Sequence, residues 1–132
     1  MVEDNAQIRA ALEPLGARLA AKAIDADQLA TLRDLNAEML ELGEDDSRYG
    51  VLNRQFHFTI YQAAASPMLL SMMRLLWHAM PHGPRVTRSH RKSAEQHAAL
   101  IDALAAGDAD AAADITRTHI MGSKHLPSEI TH

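Results

Sequence analysis

Apolar residues recur along the chain at intervals of three and four, the spacing that places them on one face of a helix. From Asn5 to about Ile24, Ile8, Leu12, Leu15 and Leu19 follow this rhythm with alanines between them. Pro14 lacks an amide donor and predicts a kink or a local break there. Asp25 reads as the N-cap of a second helix, with Gln28 three residues on completing a capping box. That helix carries Leu29, Leu32, Leu35, Met39 and Leu42 and is expected to stop near Gly43. A third, starting around Asp46 or Ser47, carries Val51, Leu52, Phe56 and Ile60. Ser66 and Pro67 suit the start of a fourth, with Leu69, Leu70, Met73, Leu76 and Trp77 on its apolar side.

The segment Met80–Pro84, with two prolines and a glycine, ends that helix. A fifth begins between Thr87 and Ser93 and runs to Ala106; Gly107 stops it, and Asp108 caps a sixth over Ala109–Met121. Gly122 should close the last helix, giving a domain over residues 1–122 and a loose tail over 123–132. No segment alternates with period two. The pattern predicts an all-α antiparallel bundle of about six helices.

Composition supports this and narrows the function. Apolar residues are 47% of the 132, so the chain can bury a core, while aromatics at 4% leave it poor in strand formers. No apolar run is long enough to span a membrane, and the acidic start "MVEDNAQIRA" is unlike a secretory signal. The absence of cysteine removes disulfides and thiolate metal sites and fits a reducing compartment, hence the cytoplasm. A formal charge of −4 argues against a free-standing nucleic-acid binder. Histidine is the outlier, with eight residues, and directs attention to metal chemistry.

In "LNRQFHFTI", His57 stands one helical turn after Asn53 inside an apolar run. A buried histidine satisfied by a backbone carbonyl is the plain alternative. His97 lies on the apolar stripe of the fifth helix with Leu100, Ile101 and Leu104, and His119 follows Ala112 and Ile115 on the sixth. His97 precedes Gly107 by ten residues and His119 follows Asp108 by eleven. At about 1.5 Å per residue, both stand roughly 15–17 Å from the turn, level with each other. A third helix bringing His57 and Asn53 to that height would supply three nitrogens and one oxygen. Such a set suits a divalent transition metal (zinc, nickel or manganese) with positions left open for water or ligand. His78, His82 and His90 flank the predicted loop, and His125 and His132 belong to the tail; these five read as solvated.

Three stretches resemble the FCD domain, the C-terminal effector-sensing half of GntR-type bacterial transcription regulators. They are "IRAALEPLGARLAA", "NRQFHFTIYQAAASPMLL" and "EQHAALIDALAAGDADAAADITRTHI", in the family's order and spacing. The resemblance implies a helical bundle with a metal-centred pocket. It assigns the ligand positions to Asn53, His57, His97 and His119, with Asn53 standing where Asp is usual. It also implies a small organic acid as effector and a homodimer, although no apolar stripe in the sequence marks the interface. Arg9 matches an arginine of the family's first helix that can meet an effector carboxylate. The competing reading is an exposed Arg9–Glu13 pair, worth only about 0.3–0.5 kcal/mol. Arg88 and Arg91 are further candidates for an anion.

No winged helix-turn-helix precedes the domain in this sequence. DNA contact is therefore expected only through a missing N-terminal domain, and of the two readings, a fragment starting at Met1 or a stand-alone sensor, the fragment is favoured. A stand-alone metal-dependent hydrolase and a purely structural dimerisation module are the alternatives. Against the hydrolase, the nearest acid in sequence, Glu95, should point away from His97.

Overall fold

In a computed structural model of the chain, the described residues are 2–80 and 89–124. They form six helices and no strand: α1 (Val2–Ala23), α2 (Ala26–Glu41), α3 (Arg48–Ala63), α4 (Pro67–His78), α5 (His90–Ala105) and α6 (Ala109–Lys124). The all-α bundle expected from the periodicity is what the chain adopts.

The boundaries follow from local chemistry. Asp25 accepts from the Gln28 amide at 2.8 Å while Gln28 Oε1 accepts from the Asp25 amide at 3.1 Å, a complete capping box. Ser66 and Ser89 cap α4 and α5 through their side-chain oxygens. The start of α3 is set by Asp46, whose carboxylate accepts from the Arg48 amide at 2.9 Å and pairs with its guanidinium. Gly107 ends α5 with φ +70°; its amide bonds Leu104 O and the Asp108 amide bonds Ala103 O, a Schellman closure. Asp108 then caps α6 by accepting from the Ala111 amide at 3.1 Å.

Three expectations change. Pro14 does not break α1, which runs through it with the ring buried. One lost hydrogen bond is outweighed by burial of the helix along α6, α3 and α4. Gly122 does not end α6, which continues to Lys124; a lone glycine costs only about 1 kcal/mol against alanine. Val51 lies outside the apolar face of α3 at 59% exposure, and that face begins with half-buried Leu52. Residues 81–88 and 125–132, where a loop and a tail are expected from the sequence, lie outside the described residues.

The helices close around one core. Buried Ala17, Ala20 and Ala21 on α1 face buried Ala112 and Ala113 on α6, and the small side chains let these helices approach closely. Phe56, Ile60, Leu32, Met39, Met73, Trp77, Leu100, Ile101 and Leu104 fill the centre. One apolar surface stays outside: Met68, Met72 and Leu75 form a stripe on α4 at 72%, 41% and 73% exposure. Ile8 and Leu15, two turns apart on neighbouring α1, are also exposed. The sequence reading assigned no such stripe, because the spacing of Met68, Met72 and Leu75 is equally that of a core face.

Candidate metal centre

Each of three helices contributes one histidine to the middle of the core. His57 sits on the buried face of α3 between Phe56 and Ile60, His97 on α5 one turn before Leu100 and Ile101, and His119 on α6 beside Ile120. All three are buried, with 4%, 1% and 7% of their surface exposed. One ligating nitrogen of each lies within 4.8 Å of the others. The ring centroids are 5.4 Å apart for His57–His97, 5.4 Å for His57–His119 and 5.0 Å for His97–His119. The height match read from the Gly107–Asp108 turn thus corresponds to spatial convergence, and α3 brings His57 to the same level. Asn53 lies one turn before His57 on α3, half-buried.

Two of the rings are held by side-chain amides. Asn36, on α2, donates its Nδ2 to the Ala94 carbonyl at 3.0 Å and places Oδ1 3.2 Å from His97 Nδ1. Gln96 places Oε1 2.6 Å from His119 Nδ1. Phe56 stacks on His97 with centroids 4.2 Å apart. Three imidazoles converging in a buried space, two of them held at Nδ1 by a side-chain amide, are a donor set that fits a divalent transition metal.

Next to this set lies a buried charged cluster. Arg9 and Glu13 are 3% and 1% exposed, and Arg9 Nε donates to Glu13 Oε2 at 2.6 Å. The exposed ion pair weighed from the sequence is therefore corrected: the i,i+4 pair forms, but inside the protein. Tyr61 donates its hydroxyl to Glu13 Oε1. Burial first, and then the Glu13 charge, hold that hydroxyl well above the usual tyrosine range, so it remains a donor. Trp77 links the two clusters, its ring 5.5 Å from that of His57 and 5.5 Å from the Arg9 guanidinium carbon. Arg54, exposed on α3, reaches over Phe58 at 4.5 Å and Trp77 at 5.9 Å.

The remaining candidates are placed differently. His78 is exposed, as expected, while His82, His125 and His132 lie outside the described residues. His90 is corrected: it is half-buried, stacks on Tyr49 with centroids 3.7 Å apart, and its backbone amide donates to Glu44. Arg91 and Glu95 are both exposed, and Arg88 lies outside the described residues.

Sequence reasoning missed Asn36, Gln96, Tyr61 and Trp77 as neighbours of the site. Asn36 carried a usable signal. It stands four residues after Leu32 and three before Met39, a polar group on a buried stripe just as Asn53 and His57 are. Gln96 carried none, since its neighbour in space is on another helix.

A sequence model of the FCD domain matches residues 4–122. The chain belongs to the FCD domain family. It is 34% identical over 109 residues to the Escherichia coli K12 protein described as "Uncharacterized HTH-type transcriptional regulator YieP", covering 80% of this chain and 47% of that one. The fold is shared with Streptococcus agalactiae GntR, at a TM-score of 0.83 and 24% identity over 95% of this chain and 58% of that one. It is also shared with E. coli McbR/YncC, at a TM-score of 0.75 and 20% identity over 98% and 65%. This FCD domain thus spans about half the length of the curated relative it matches. The curated relative is described as an HTH-type transcriptional regulator, which supports a regulatory role for a domain of this family. Among the described residues, no helix is long and apolar enough to cross a membrane.

Proposed function

We propose that this FCD domain senses a small organic acid at a divalent-metal centre and transmits its occupancy to a winged helix-turn-helix domain of a longer regulator. The observation that carries the reading is the buried convergence of His57, His97 and His119 within 4.8 Å. Asn53 is the fourth ligand position, one turn from His57. The metal is zinc, nickel or manganese, as suits nitrogen donors with one neutral oxygen.

Charge supports an anionic effector. Three imidazoles and an amide leave the double charge of the ion uncompensated. Among the described residues, the only buried carboxylate is Glu13, and it is committed to Arg9 and Tyr61. An acid entering the open positions supplies the missing negative charge, and Arg9 stands beside Trp77 to meet a carboxylate. Metal and acid should therefore bind with positive coupling, each raising the affinity for the other. The same commitment of Glu13, with Glu95 exposed, leaves a hydrolytic reading without a general base.

The assembly we propose is a homodimer in which the α4 stripe of Met68, Met72 and Leu75, with Ile8 and Leu15 of α1, meets its own copy. GntR regulators usually dimerise, and a two-fold interface requires one self-complementary patch. DNA contact belongs to the separate N-terminal domain, and the domain works without a membrane partner.

Elemental analysis of protein purified without a histidine tag tests the centre directly. A near-stoichiometric transition metal is expected in the wild type, lost in His97→Ala/His119→Ala. Metal-free wild-type protein that takes up no zinc, nickel or manganese on titration would end this reading.

A further inference from the structure

Two amide side chains outside the proposed ligand set stand against Nδ1 of two of the three histidines. Asn36 is oriented by its own hydrogen bond: Nδ2 donates to the Ala94 carbonyl at 3.0 Å, which turns Oδ1 toward His97. An amide oxygen only accepts, so His97 Nδ1 must carry the proton in this contact, and the lone pair of the neutral ring is then on Nε2. Gln96 Oε1 imposes the same state on His119 through Nδ1 at 2.6 Å.

We propose that Asn36 and Gln96 are positioning residues of the metal centre, locking His97 and His119 as Nδ1–H tautomers so that Nε2 faces the ion. This rests on the metal reading above, but the lock belongs to the protein itself. The consequence is architectural. Asn36 lies on α2, which supplies none of the proposed ligands, and its two bonds clamp the α5 turn between Ala94 and His97. Gln96, adjacent to His97 on α5, reaches His119 on α6. A chain of two amides thus joins α2, α5 and α6 behind the histidines. Both amides are neutral, so they orient the rings without offsetting the charge of the ion, unlike the carboxylates that often occupy this position.

The test uses the whole chain, Asn36→Leu, Asn36→Asp and Gln96→Leu, with zinc alone as the probe. Zinc affinity is read by competition with a chromophoric chelator, and histidine tautomers are read in metal-free protein by long-range ¹H–¹⁵N correlation. Asn36→Leu is expected to weaken zinc about 10–100-fold and to release His97, but not His119, from the Nδ1–H form. Gln96→Leu should do the converse. Asn36→Asp gives up the bond to the Ala94 carbonyl but keeps a stronger acceptor for Nδ1, so its zinc affinity should stay within about tenfold of the wild type. Folded leucine variants with wild-type zinc affinity and unchanged tautomers would overturn the proposal. So would an Asn36→Asp loss of zinc affinity greater than about tenfold, which decides the matter even if the leucine variant fails to fold. Wild-type protein that shows both Nδ1–H tautomers yet binds no zinc would refute the metal reading and uphold the lock.

Discussion

Replacing Glu13 with glutamine separates the buried charge pair from everything else around it. Glutamine keeps the shape, but in that geometry its one oxygen cannot accept from both Arg9 Nε and the Tyr61 hydroxyl as the two carboxylate oxygens do, and it leaves Arg9 as an uncompensated charge that is 3% exposed. Removing one partner of a buried pair costs about 3–5 kcal/mol. The amide oxygen keeps one of the two hydrogen bonds and loses the other, so the loss stays at about 3–5 kcal/mol. With an unfolding entropy of about 2.1 cal/mol/K per residue, the 132-residue chain loses about 0.28 kcal/mol per degree, so Tm should fall by roughly 11–18 °C. Differential scanning calorimetry on the wild type, Glu13→Gln and the double variant Arg9→Met/Glu13→Gln measures this. The double variant should recover much of the loss, because the stranded charge is gone. The loss should also persist in 1 M salt, since a buried pair is poorly screened. A drop below about 2 °C, or one abolished by salt, would refute the placement of this pair in the core. An added carboxylate should raise the Tm of Glu13→Gln more than that of the wild type if Arg9 faces the effector.

Asn53→Asp should tighten metal binding by at least about tenfold, because a unit charge near the ion gains several kcal/mol at an effective dielectric of about 20 before desolvation. It should also reduce the dependence of metal loading on added acid; isothermal titration with and without acid checks both, and an unchanged affinity would remove Asn53 from the ligand set. The Tyr61 hydroxyl ionises at higher pH in the folded state than in the unfolded chain. The folded protein therefore holds that proton longer, and stability is unaffected below about pH 10 but falls as pH rises past it. Urea denaturation should show a steeper loss for the wild type than for Tyr61→Phe between pH 9.5 and 11; equal slopes would contradict the assignment. Ala65 adopts φ 57° after α3, a conformation that costs an L-residue about 1–2 kcal/mol, so Ala65→Gly should stabilise by about 1 kcal/mol in chemical denaturation. Met72→Glu with Leu75→Glu should leave the fold intact and convert a dimer to a monomer in light scattering; a dimer that persists places the interface elsewhere.

Helix existence and most helix ends were legible in the residues themselves, because they are decided within a turn or two. Asp25 and Gln28, Ser66 and Pro67, and Gly107 and Asp108 satisfy or release nearby backbone groups, and periodicity alone placed Phe56, Leu100 and Leu104 inward. The convergence of His97 and His119 was legible for the same reason: a short hairpin with a known rise per residue makes height a matter of counting. Pro14 and Gly122 show the limit, since their local penalties are small beside the burial that the rest of the helix contributes. The environment of Arg9 could not be read at all. An i,i+4 pair with Glu13 looks the same on paper whether water or Trp77 covers it, and only the packing of α1 against α3 and α4 put it in the core. Asn36 and Gln96 were likewise invisible as ring holders, because each meets its histidine on a different helix. Sequence by itself determined the six helices and most of their caps, and it suggested the four proposed ligand positions. Tertiary structure decided which charges are buried and which side chains hold the histidine rings, because desolvation and hydrogen-bond pairing depend on neighbours that are distant along the chain.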